Sequence, residues 1–282
     1  EDLQACAAVG QSRLMSLYQE LFEEAGLRVG QVLLTHDDLA HHDRHLNARN
    51  TLMALLDRGI VPIINENDAV SFTELTVGDN DRLSALVAAL LPADLLVLLT
   101  NAEGVVRNFG KLNAKLISTV RKIDDALRRH TRGTQSRTSI GGMVSKIDAA
   151  DMAVRAGIPV VIGQGTQRGV FLKILSGENI GTYFVPAKKM KGRKRWIAFF
   201  HHPKGALVVD DGAKSALRAR GKSLLLPGVA CCEGVFAVGE VVKICDADGT
   251  EFARGIARAA RVDVESGTAA KVVVHRDDLV IL

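Results

Sequence analysis

Aromatic residues make up only 4% of this 282-residue sequence, with a single tryptophan and two tyrosines. Trp196 is thus the one obvious stacking residue beside the phenylalanines, which leaves little for a surface that binds bases by stacking. Cysteine is scarce as well. Cys6, Cys231, Cys232 and Cys245 contain no Cys-x-x-Cys pair, and neighbouring Cys231 and Cys232 make a poor disulfide framework. This usage fits a reducing, cytoplasmic setting. The longest apolar run, residues 85–100, is interrupted by Pro92 and Asp94, so it cannot span a bilayer, and no membrane partner is expected. No signal-peptide pattern is visible, although the opening Glu1-Asp2-Leu3 runs straight into a helical pattern and is compatible with a processed or incomplete start.

What remains is ordinary globular composition, 47% hydrophobic and 24% charged, over a length that suits one large or two ordinary domains. The net charge of +4 is unevenly spread: residues 187–222 hold 11 Lys and Arg against two Asp, leaving the rest of the chain at −5. A basic segment of that kind suits RNA phosphates or a solvated face.

The densest polar stretch is Asn65-Glu66-Asn67-Asp68 with Gly78-Asp79-Asn80-Asp81, the two ends of one loop. The first cluster follows the β-branched run 60–64, which reads as a buried strand, so its amides and acids sit at a strand's carboxyl end. The second precedes Leu83, Leu86, Val87 and Leu90, spaced as an amphipathic helix. Such a loop suits a small zwitterion. Asp68 takes an ammonium, Asn65, Asn67 and Asn80 supply neutral donors and acceptors, and a helix start near Asn80 favours an anion. The same residues also suit a plain helix cap on a solvated turn.

Along the chain, a helix is expected over residues 2–25, with Leu3, Leu14, Leu17, Leu21 and Phe22 on one face and Gly26 as its stop. Strands are expected at 29–35, 60–64, 94–100, 158–162 and 181–185, alternating with helices at 47–57, from 81, from 141 to 157, and at 168–175. This alternation predicts an α/β domain with a mostly parallel sheet sandwiched by helices. His41 and His45, with Asp37, Asp38 and Asp43, read as a solvated helix entry rather than a metal site, and no residue is assigned to a metal. Gly141-Gly142 before Ser145 and Lys146 lets backbone approach a phosphate, with a lysine one turn later. A basic linker is expected over 187–194. Beyond it, strand-like runs at 206–209, 239–244 and 270–275 predict a small β-rich barrel over 195–282, with a helix at 213–220.

The NEND and GDND pattern running into Leu83-Ser84-Ala85-Leu86 resembles the glutamate 5-kinases of the amino acid kinase family. AAVGQSRL at 7–14, LNARNTLMALL at 46–56, GGMVSK at 141–146 and AGIPVVI at 156–162 follow the family's order, and the end of the chain resembles a PUA module. The resemblance implies an amino acid kinase domain over 1–186 and a PUA-like domain over 195–282. It implies transfer of the ATP γ-phosphoryl group to the side-chain carboxylate of L-glutamate, with Mg²⁺, in proline biosynthesis. Lys146 and Asp81 are implied as catalytic residues, and Asp68, Asn80, Asp79 and Asn65 as substrate-binding ones. Thr100, Asn101, Ile140, Gly141, Gly142, Met143, Val144, Ser145 and Lys146 are implied around ATP. Asn101 stands where the family usually has Asp, and Ile140 where it usually has Thr. Proline as feedback inhibitor, a dimeric or tetrameric homo-oligomer and RNA binding by the PUA-like module also follow from the likeness. The family's amino-terminal Lys-x-Gly-Ser/Thr strand is not in this sequence. An RNA-binding or regulatory protein with an inactive kinase-like domain is therefore the alternative, and a kinase with a different acceptor the third reading.

Overall fold

In the computed structural model, which describes residues 2–70, 79–91, 93–110, 112–131, 142–187, 190, 192–200 and 203–282, the chain divides into units of residues 1–189 and 190–282. The first begins with helix α1 (Asp2–Glu23). Leu17 and Leu21 are more than half exposed, so the apolar stripe expected to bury this helix lies largely open. Gly26, with φ +71°, turns the chain in a conformation that costs glycine little and delivers it to β1 (Arg28–Leu34).

Thr35 and Asp38 form a reciprocal capping box around α2 (His36–Ala40), whose acid is held below the ordinary carboxylate range. Burial opposes that shift, and hydrogen bonds from the Thr35 hydroxyl and amide outweigh it. Helix α3 (His42–Asp57) starts earlier than expected. His41 and Asp43 are exposed as expected, whereas His45 is buried, with Nδ1 3.2 Å from the Leu39 carbonyl oxygen. The solvated reading of this segment is thus wrong for His45. No group of potential metal ligands occurs among the described residues.

Strand β2 (Ile60–Glu66) pairs in parallel with β1, placing Asn65 beside Leu33 and Glu66 beside Leu34. Then come α4 (Asp79–Leu90) and β3 (Leu96–Thr100). Next are the short antiparallel pair β4 (Val106–Arg107) and β5 (Lys115–Leu116), followed by β6 (Thr119–Val120). Helices α5 (Asp125–Thr131) and α6 (Met143–Arg155), β7 (Val160–Gln164), α7 (Val170–Leu175) and β8 (Thr182–Phe184) complete the unit.

A second sheet runs in the order β3-β7-β8-β6, parallel except between β7 and β8. The strand alternation therefore yields two sheets, β1–β2 and this one, in place of one continuous sheet. Among the described residues no strand joins β2 to β3. A groove of about 560 Å³ opens instead, lined by Leu14, Tyr18, Ile63, Asn65, Leu83 and Leu96. Residues 60–64 are consequently half-buried, not buried as the apolar run predicts.

Helix α4 packs on α6. Ala85, Ala88 and Ala89 on the former and Ala149, Ala150 and Ala153 on the latter are all buried, and side chains this small allow close helix approach. Leu52, Leu86, Ile162 and Phe184 fill much of the remaining core.

The second unit opens with α8 (Gly192–Arg195), which continues as a wider π-helical turn over Trp196–Phe200. Then follow β9 (Gly205–Val209), α9 (Asp211–Arg220), β10 (Leu224–Leu225) and a short 3-10 turn, Leu226–Gly228. Strands β11 (Val229–Gly234), β12 (Val241–Cys245) and β13 (Glu251–Ala257), helix α10 (Arg261–Glu265) and β14 (Val272–Ile281) end the chain. Six strands form one sheet ordered β10-β14-β13-β12-β9-β11, antiparallel except for β9 with β12. Its core gathers Leu207, Leu217, Leu224, Ile244, Phe252 and Val273. Burial of a phenylalanine such as Phe252 contributes roughly 1.5–3 kcal/mol, and the cations of Lys214 and Arg218 lie 5.9 and 5.3 Å from its ring centre.

Candidate active site

Two strand ends and two helix starts determine where the polar residues of the first unit lie. Asn65 and Glu66 end β2, Thr100 ends β3, and Asp81 sits in the first turn of α4. Ser145 and Lys146 occupy the first turn of α6. The packing of α4 on α6 brings these first turns together across 64 residues of sequence.

Lys146 Nζ lies 3.0 Å from Asp81 Oδ2 and 3.3 Å from Oδ1. Both side chains are largely buried, 13% and 17% exposed, so water screens this ion pair poorly. Ser145 Oγ lies 2.7 Å from Asp81 Oδ2 and 2.8 Å from the Gly142 carbonyl oxygen, and its one proton is shared between them. Two helix N-termini, each carrying partial positive charge, thus meet around one carboxylate and one ammonium. Such an arrangement attracts a polyanion and holds a lysine in a fixed place beside it. Gly142 precedes α6 in extended conformation, and among the described residues no atom lies within 4 Å of where a Cβ would stand.

The other expected residues sit at different distances from this cluster. Thr100 ends its strand half-buried, and its carbonyl accepts from the Gly165 amide at 2.8 Å. Asn101 is exposed. Met143 is half-buried and Val144 exposed on the first turn of α6. Asn80 is exposed and lines the groove between β2 and β3 together with Asn65. Asp68 is half-buried beyond the end of β2. Ile140 and Gly141 lie outside the described residues, as does the side chain of Asp79.

Sequence reasoning passed over two contacts. One is the Ser145 hydroxyl, expected near nucleotide but also tied to Asp81. The other is Gln11 of α1, whose Oε1 accepts a 3.1 Å hydrogen bond from Asn65 Nδ2. Gln11 stands inside the 7–14 motif, yet nothing local reveals a partner 54 residues away.

In the second unit, a groove of about 620 Å³ runs between α9 and the β10–β14 edge, lined by Ala213, Lys222, Leu224, His275 and Arg276. Lys214 also pairs with Asp246 at 2.9 Å.

Residues 1–164 match the amino acid kinase family, and residues 205–276 match the PUA domain. Glutamate 5-kinase of Syntrophotalea carbinolica is 44% identical over 295 residues, covering 99% of this chain and 79% of that protein. The Geobacter sulfurreducens glutamate 5-kinase is likewise 44% identical, covering 99% and 79%. That of Photobacterium profundum is 45% identical, covering 99% and 78%. The two-unit fold, the clustered Asp81, Ser145 and Lys146, and these likenesses together establish that the chain belongs to the glutamate 5-kinase branch of the amino acid kinase family, with a PUA domain behind the kinase domain.

Proposed function

We propose that the protein transfers the γ-phosphoryl group of ATP to the side-chain carboxylate of L-glutamate, the first step of proline biosynthesis. In that step the bond between the γ-phosphorus and the ADP oxygen breaks and one to a carboxylate oxygen forms. The acceptor is already ionised at neutral pH, so no general base is needed, and positioning with charge neutralisation does the work. The observation that carries this reading is the Lys146–Asp81 pair at two converging helix starts. Lys146 neutralises charge on the transferring group, and Asp81, held by Ser145, keeps the lysine in place. The residues suit a nucleotide polyphosphate, with Gly142 to Lys146 around it and Thr100 and Asn101 toward the nucleoside. Bound Mg²⁺ would supply further neutralisation of the transferring phosphoryl group. Asp68 and Asn80 bind the glutamate ammonium and carboxylate, supported by Asn65 and Asp79. The test is ATP-dependent formation of glutamyl hydroxamate in the presence of hydroxylamine, with K146M as the comparison.

Proline occupies the glutamate position as a feedback inhibitor. The exposed Val9, Leu17 and Leu21 of α1 favour a homo-oligomer, which sedimentation would reveal as a dimer or tetramer. The reading of an RNA partner is supported by Lys222, His275 and Arg276, which line a groove of the second unit together with Asp210, Ser223 and apolar residues. A cytoplasmic location accords with four unpaired cysteines, and no described helix is long and apolar enough to cross a membrane.

A further inference from the structure

Beyond these roles, we infer that Gln11 is a positioning residue that sets the polarity of Asn65 and thereby selects for an amino group on the substrate. This rests on the glutamate kinase reading above. Gln11 Oε1 accepts from Asn65 Nδ2 at 3.1 Å, across a part-buried contact between α1 and the end of β2. A side-chain amide has one donor end and one acceptor end. With its NH₂ engaged by Gln11, Asn65 turns its carbonyl Oδ1 the other way, and no described residue donates to that oxygen. An acceptor at the carboxyl end of β2 suits an ammonium and repels a carboxylate. It lies two residues ahead of Asn67 and three ahead of Asp68, the acid already suited to the same ammonium.

Gln11 Nε2 is buried and has no hydrogen-bond partner among the described residues. A buried donor left unpaired is unfavourable and calls for an explanation. A methylene-for-amide replacement would remove that burden at once, so the Oε1 end is the part of Gln11 with work to do. The reversed arrangement, Nε2 donating to Asn65 Oδ1, would present Asn65 Nδ2 to the substrate and favour a carboxylate instead. The two arrangements predict opposite behaviour for a side chain that can only accept.

The experiment compares wild type, Q11L and Q11E in the hydroxamate assay, measuring kcat and KM for glutamate and ATP. Glutarate, the same dicarboxylate without the amine, is the competing ligand. Q11L keeps the bulk and removes the acceptor, and Q11E keeps an acceptor for Asn65 Nδ2. Expected for Q11L is a rise of about tenfold in KM for glutamate, equivalent to about 1.4 kcal/mol, with kcat, KM for ATP and the inhibition constant of glutarate within about threefold. Q11E should restore glutamate KM to within about threefold of wild type. A merely structural role would shift kcat and both KM values together and would not distinguish glutamate from glutarate. Q11E as damaging as Q11L, or equal losses for glutamate and glutarate, would overturn the assignment while leaving the kinase reading intact. Absence of any glutamate turnover by wild type would overturn both.

Discussion

If Asp81 acts by holding Lys146, the two residues should behave as one unit when both are changed. Coulomb's law at 3.0 Å with an effective dielectric near 20 gives roughly 5.5 kcal/mol of attraction, most of it offset by desolvating both charges. Removing one partner from a fully buried pair costs about 3–5 kcal/mol, and the residual exposure here lowers the expected stability loss for D81N to about 2 kcal/mol. Catalysis should respond differently. K146M removes a cation from the transferring phosphoryl group and should lower kcat by roughly 10²–10³. D81N leaves Ser145 a partner but removes the carboxylate that holds the lysine, and misplacement of that order costs up to about 10². Made in the K146M background, D81N should cost less than about threefold, because nothing remains for it to position. The assay is steady-state hydroxamate production for the four proteins, with thermal unfolding measured in parallel. An equal loss from D81N in both backgrounds would refute the positioning role and give Asp81 a separate task.

Three further outcomes follow from the packing and charges. Gly181 has φ +73°, and a Cβ there would run into the Ile162 carbonyl oxygen, so G181A should destabilise the first unit by about 2 kcal/mol or more, seen as a lower thermal midpoint. The Lys214 hydrogen bond, aided by the Thr250 amide, holds the Asp246 carboxyl below its usual range. The unfolded chain therefore takes up that proton at higher pH than the folded one: the stabilisation is present above about pH 4 and is lost as pH falls through the folded value. Acid titrations followed by fluorescence of Trp196, the only tryptophan and a residue of the second unit, should show D246N less stable than wild type near neutrality and converging with it in acid. Finally, K222A and R276A should weaken RNA binding and each reduce the slope of log affinity against log salt by about 1; unchanged slopes would move the RNA surface away from the α9 groove.

Much of the architecture was readable because it is local. The β-branched runs of β2, β3 and β7 and the three-and-four spacing of α4 and α6 mark themselves through periodicity. Strand β11 was not readable, since its Ala230-Cys231-Cys232-Glu233 core has neither alternation nor strong β-formers. Strand β13 was likewise passed over; Gly255 lies within it, where a Cβ would collide with Val274 and glycine is required for packing. His45 looked solvated by composition, and only tertiary contact with Leu39 buries it. In the site, residue types reveal Asp81 and Lys146 as candidates, whereas their 3.0 Å pairing depends on the packing of α4 against α6. Gln11 was invisible for the same reason: its significance lies in a contact with Asn65, not in its own neighbourhood in sequence. The separation into two sheets also escaped sequence reading, because strand order is a property of long-range pairing.

The most direct test is glutamyl hydroxamate formation from ATP, Mg²⁺, glutamate and hydroxylamine, measured for wild type and K146M. Hydroxamate should form with glutamate and disappear in K146M. If wild type makes none while folded, or if K146M makes as much as wild type, phosphoryl transfer at the Asp81–Lys146 site is contradicted.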